Sequence, residues 1–197
     1  MAGEKQHLWK DLRYRQRFNS QVVRLCPCRM ARDIRINYLY ASEATWQRFD
    51  LTCDYFGWAN KSFVQQCIQD FFDNHRAYYV EAALKEIDAR QVEETTYYQA
   101  LRDVGEDALP RYQKGRPGFG ITPLDDFPFV EAEQTIKRRY NVITLGNDSA
   151  VLLKVARIVD TGPMVQLVSR ILEQHFQGCW ESKYLPYLER DNAGLFS

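Results

Sequence analysis

Two stretches of this chain resemble each other across a separation of 104 residues, and that repeat constrains the fold more than any other feature. Arg35-Ile36-Asn37-Tyr38-Leu39-Tyr40 returns as Arg139-Tyr140-Asn141-Val142-Ile143-Thr144. Phe63-Val64-Gln65-Gln66-Cys67-Ile68 returns as Leu167-Val168-Ser169-Arg170-Ile171-Leu172 at the same separation, and Phe72 meets Phe176. Between these blocks Ala44, Arg48, Phe49 and Asp54 align with Ala150, Lys154, Val155 and Asp160 at 106 residues. The second copy therefore gains two residues at Gly146-Asn147 and loses two before Pro163. Self-similarity at a fixed period means a repeated supersecondary unit that buries its apolar face against its neighbour.

Each copy reads as strand, helix, turn, helix. Ile34 to Tyr40 alternates, with Ile36 and Tyr38 on one face and Arg35 and Asn37 on the other. Ser42 is an N-cap for a helix from Glu43 to about Phe56, along which Trp46, Phe49, Cys53 and Phe56 form an apolar stripe. Gly57 ends it, because glycine enters the left-handed region without a Cβ penalty. Phe63, Val64, Cys67, Ile68, Phe71 and Phe72 mark the buried face of a second helix from about Asn60. Pro163 suits the first turn of the equivalent helix in the second copy, where its missing N–H is no loss. One such unit of about 45 residues has no ladder partner for its strand and too little surface to bury. The expectation is that strands 34–40 and 138–144 pair antiparallel. Trp46, Phe49, Phe63, Ile68 and Phe72 should share one core with Leu152, Val155, Leu167, Ile171 and Phe176.

The order strand-helix-turn-helix, with Arg35-Ile36-Asn37-Tyr38-Leu39, Gly57 and Phe63-Val64-x-x-Cys67-Ile68 and their counterparts, resembles the ribbon-helix-helix family of small DNA-binding repressors. The resemblance covers about 40 residues in each copy and implies a mainly α fold with a short antiparallel two-stranded ribbon. Family members usually pair two identical chains, so two tandem copies would form a pseudo-dimer, within one chain or by strand exchange between two. The expected organisation is a basic helical N-terminal arm over 1–32, copy one over 33–76, a helical and Gly/Pro-rich connector over 77–135, and copy two with a C-terminal tail over 136–190.

The resemblance also implies a function. In the family, outward side chains of the paired strands read base edges in the major groove. Carried over, the base-reading set is Arg35, Asn37 and Leu39 with Arg139, Asn141 and Ile143. Arginine can grip guanine, asparagine can pair adenine, and an aliphatic tip can meet a thymine methyl. Leu39 and Ile143 stand where polar readers are common and suit a protein contact equally. The family also seats a phosphate at the N-terminus of the second helix, where free N–H groups and the helix dipole favour an anion. Asn60, Lys61 and Ser62 are the candidates in copy one, whereas Pro163, Met164 and Val165 offer no charge in copy two. The expected protein is thus a sequence-specific binder of double-stranded DNA, of the transcriptional repressor or the plasmid partition and copy-control type. The alternative is a protein-interaction adaptor that uses the core for assembly alone.

Charge distribution supports a polyanion partner even though 26 basic and 26 acidic residues cancel. Residues 1–35 hold nine basic side chains against three acidic ones, an asymmetry typical of a basic arm. Arg13, Arg15 and Arg17 in that arm are further candidates for phosphate contact. Five cysteines, an odd number in a chain of this size, argue against a disulfide framework. With no leader-like or membrane-spanning apolar stretch, they suggest a cytoplasmic protein. Cys26-Pro27-Cys28 lacks the spacing and the second ligand pair of a zinc site. His7, His75 and His175 are scattered, and no nucleophile-base grouping has a supporting context, so neither catalysis nor a cofactor is expected. Gly115-x-x-Gly118-x-Gly120 reads as a flexible connector, and Tyr78, Tyr79, Tyr97, Tyr98 and Tyr112 as packing. Self-association, or a protein partner held by the connector or tail, is the remaining expectation.

Overall fold

The computed structural model of the chain describes residues 32–34, 36–127, 135–140 and 143–193. The basic arm, with Arg13, Arg15 and Arg17 and the helix expected over 8–25, lies outside them, as do Cys26, Cys28, Arg35 and Asn141.

Four short strands and six helices follow in chain order among the described residues. They are β1 (Arg32–Ile34), β2 (Tyr38–Ala41), α1 (Glu43–Phe56), α2 (Asn60–Arg90), α3 (Glu94–Asp103), β3 (Ile136–Arg139), β4 (Ile143–Leu145), α4 (Asn147–Asp160), α5 (Met164–Cys179) and α6 (Leu185–Ala193). A single π-type turn, Trp180–Tyr184, joins α5 to α6. The start of α1 follows from its cap: the Ser42 hydroxyl accepts the Thr45 N–H at 3.2 Å. Its end follows from Gly57, which sits in the left-handed region at φ 64°. No helix among the described residues is long and apolar enough to cross a membrane.

The strands pair across the repeat. β1 runs antiparallel to β4 with Ile34 opposite Ile143, and β2 runs antiparallel to β3 with Tyr38 opposite Arg139. In every pair the residue numbers add to 177, so both pieces share one register. The Tyr140 N–H donates to the Asn37 carbonyl at 2.8 Å, in that same register. The expected strands 34–40 and 138–144 are therefore each divided into two short pieces.

The division changes which side chains face inward. Ile36 is buried, and so are Leu39 and Ala41, while Tyr38 is exposed. The second copy repeats the pattern with Tyr140, Ile143 and Leu145 buried. Alternation thus slips by one residue across each break, and a one-residue slip sends every later side chain to the opposite face. Leu39 and Ile143, expected outward, are core residues. The slip keeps the smaller, fully apolar Leu39 and Ala41 inside and leaves Tyr38, which carries a hydroxyl, toward water.

Helix packing is interleaved. β2 lies on α5 and β4 on α2, α1 packs on α5, α4 packs on α2, and α2 and α5 meet each other. The ten core residues expected from the two copies all lie in one buried cluster. Phe49, Phe63 and Phe176 form its centre, with ring centroids between 5.1 and 6.2 Å apart. Glu173 of α5 is buried and holds the beginning of α1. Its carboxylate accepts the Ser42 N–H, the Ser42 hydroxyl and, at 2.6 Å, the Thr45 hydroxyl. A negative group at a helix N-terminus satisfies free donors and complements the dipole.

Much of the connector, including the segment around Gly115–Gly120, is hydrogen-bonded to the helices. Its helical part begins as an uninterrupted extension of α2 to Arg90. There Arg90, itself paired to fully buried Glu86 at 2.7 Å, donates to the Pro110 carbonyl at 2.6 Å. The Tyr112 hydroxyl donates to Glu86 at 2.6 Å, and the Arg90 guanidinium lies 3.9 Å from the Tyr112 ring centroid. Arg116 donates to the Ile158 and Val159 carbonyls at the end of α4, Tyr78 to the Phe119 carbonyl, and Arg170 to the Leu124 and Phe127 carbonyls. Proline and glycine remove local helix, but the backbone groups they free still need partners.

Glu173→Ala should cost about 1–3 kcal/mol in chemical denaturation, the usual consequence of leaving buried donors unsatisfied, with the far-ultraviolet spectrum preserved. An unchanged midpoint would remove Glu173 from the interactions that hold the two halves together.

Stability should also fall with acid through His175. This residue is buried, and its Nε2 lies 2.7 Å from the Tyr184 hydroxyl. Burial, with Lys183 nearby, pushes its pKa from 6.5 down to about 4. A depressed histidine pKa means that the unfolded chain binds the extra proton. The stabilisation is therefore complete above about pH 6.5 and lost as pH falls toward 4. Thermal denaturation of His175→Phe across that window should show a shallower dependence on pH than the parent chain.

Candidate nucleic-acid interface

The paired β2–β3 segment presents a mixed cationic and aromatic face to solvent. Ile136-Lys137-Arg138-Arg139 contains three consecutive cations, and strand alternation divides them. Lys137 and Arg139 are exposed, while Arg138 turns back toward α1. Register places Lys137 opposite Tyr40 and Arg139 opposite Tyr38, so all four belong to one face. The Lys137 ammonium lies 3.8 Å from the Tyr38 ring centroid and 5.7 Å from that of Tyr40. Lysine on tyrosine keeps the charge at the surface while ordering its stem.

Arg138 fixes the strand that carries these groups. Its guanidinium forms a two-pronged pair with Asp50, at 2.5 and 2.7 Å, and lies 4.3 Å from the Trp46 ring centroid. The hydrogen bond to Asp50 holds Arg138 firmly in its charged form. Trp46 also donates its indole N–H to the Ile136 carbonyl at 2.7 Å, and its ring stacks on Tyr140. One cation of the three is thus spent on docking β3 against α1, and two remain outward.

The structure distributes the expected site residues unevenly. Asn37 is exposed beside the face, and Arg139 belongs to it. Leu39 and Ile143 are excluded from it by burial. Arg35 and Asn141 fall outside the described residues. Asn60, Lys61 and Ser62 are exposed in the first turn of α2, where Ala59 supplies no side-chain cap. The first turn of α5 is less bare than its own residues suggest. A surface recess of about 500 Å³ there is lined by Glu106, Arg116, Arg157, Thr161, Gly162 and Pro163 among others. Both arginines come from segments that the local sequence of α5 does not reveal. Lys137, Tyr38 and Tyr40 were also missed, although the cationic run at 137–139 and the Tyr-x-Tyr spacing are signals for them.

Among the described residues, no three His, Cys, Asp or Glu side chains are grouped to hold a metal ion. Comparison with protein-family models, with curated proteins and with solved structures finds no match to this chain.

The two faces of the ribbon make opposite demands on mutation. Leu39→Ala should destabilise the chain by about 2–5 kcal/mol, as truncation of a buried leucine does. Arg139→Ala should stay within about 0.5 kcal/mol, as surface changes do. Urea denaturation of the two variants checks the assignment, and equal effects would overturn it.

Proposed function

We propose that the chain is a tandem ribbon-helix-helix pseudo-dimer that binds double-stranded DNA in a sequence-specific manner. Its role would be that of a transcriptional repressor or a plasmid partition or copy-control protein, without catalytic activity. The observation that carries this reading is the outward ribbon face of Tyr38, Tyr40, Lys137 and Arg139, with Asn37 beside it. A two-stranded ribbon fits the major groove, and Lys and Arg on it can address guanine edges and phosphates. The single register shared by the four strand pieces, and the crossed packing of each first helix on the other half's second helix, support the pseudo-dimer. The exposed first turn of α2, with Lys61, and the half-buried first turn of α5, beside Arg116 and Arg157, are suited to flanking phosphates.

One observation favours an adaptor instead. Phe56, Trp58 and Tyr187 cluster at the α1–α2 turn, with Trp58 and Tyr187 exposed and Phe56 stacked on Trp58 at 4.6 Å. Aromatic groups of this kind anchor protein contacts.

Retention of the full chain on duplex DNA at rising salt separates the two. A DNA binder loses affinity steeply, with a log-log slope of about 0.9 per phosphate contact. Lys61→Ala should lower affinity for all duplexes alike and reduce the slope by about one contact, whereas Arg139→Ala should cost about 1–3 kcal/mol on a preferred site and relax its sequence. No salt-dependent retention would leave the adaptor as the better reading.

A further inference from the structure

We infer that the ribbon recognises a non-palindromic duplex in one fixed orientation, with the β2–β3 end making the dominant contacts; this rests on the DNA-binding reading above. A homodimeric ribbon has two identical ends and meets a two-fold symmetric site. Here the ends are unlike. At the 104-residue separation, Tyr38 and Tyr40 correspond to Val142 and Thr144, and Lys137 and Arg139 correspond to Asp33 and Arg35. The β2–β3 end therefore brings two cations and two tyrosines, and the corresponding sequence positions of the other end bring one cation, one carboxylate, a valine and a threonine.

The supports differ as well. Arg138, Asp50 and Trp46 correspond in sequence to Ile34, Ala156 and Leu152. The ion pair and indole bond that dock β3 against α1 thus have an apolar counterpart in α4, where Leu152 and Ala156 are buried. Neither half of a palindrome could be matched by both ends. Its two halves present identical base edges and phosphates, while the protein offers a net charge of two at one end and none at the other. At the position equivalent to Lys137 the sequence carries Asp33, and a phosphate repels a carboxylate where it attracts a lysine. The helix starts are unlike as well, with Lys61 in the first turn of α2 and, around Pro163 at the head of α5, Arg116 and Arg157 together with Glu106.

The test selects sites for the full chain from random duplex DNA and then measures binding to single-base-pair variants of the selected site. The expected site is non-palindromic, with one half more strictly defined. Arg139→Ala should weaken binding roughly ten- to hundred-fold and relax preference in that half alone. Lys137→Ala should reduce the salt slope by about 0.9. Asp33→Lys should raise affinity for an artificial palindrome built from two copies of the strict half. A palindromic selected site, or Arg139→Ala relaxing both halves equally, would overturn this inference while leaving DNA binding intact. Absence of duplex binding, or tighter binding to unstructured single strands than to duplex, would overturn the DNA-binding reading with it.

Discussion

Everything in this fold depends on two strand segments about a hundred residues apart pairing with each other. Among the described residues neither has a strand neighbour in its own half, and unpaired backbone groups at a packed surface are costly. The shared register of the two strand pairs aligns the halves. Once aligned, β2 rests on α5 and β4 on α2, and the helices close beneath them in crossed fashion. Glu173 reinforces the same geometry from below, because it ties α5 to the first residues after β2.

The outward face is a by-product of that pairing. Arg138 is drawn inward by Asp50 and Trp46, and its neighbours on either side must then point away. Tyr38 and Tyr40 fill the spaces opposite them, so charge and aromatic surface alternate across a strip two strands wide. Such a strip is the surface on which the proposed DNA contact rests.

The repeat made the helices, the pairing and the shared core legible, because periodicity and spacing survive when individual residues diverge. Ser42 and Gly57 marked the limits of α1 through local chemistry alone. The face of Leu39 and Ile143 was not legible, since alternation of residue types continues smoothly through the point where the strand breaks and its phase slips. Arg138 could not be told from Lys137 and Arg139 by residue type; strand phase and the placement of Asp50 and Trp46 separate them. Glu173, Arg116 and Arg170 act over more than forty residues of sequence, and the two arginines bond backbone carbonyls whose residue identity carries no signal. The glycines of the connector announced an absence of helix and concealed the hydrogen bonds that hold it.

Placing both strands in one chain also changes the order of the reaction that forms the ribbon. Two separate protomers meet at a rate and with a yield set by their concentration, and dilution separates them. Here the partner strand arrives through a connector that is itself fastened to α2, α4 and α5. Ribbon assembly is consequently unimolecular, with a high effective concentration of one strand for the other. The proposed DNA-binding surface therefore persists when only a few copies of the protein are present.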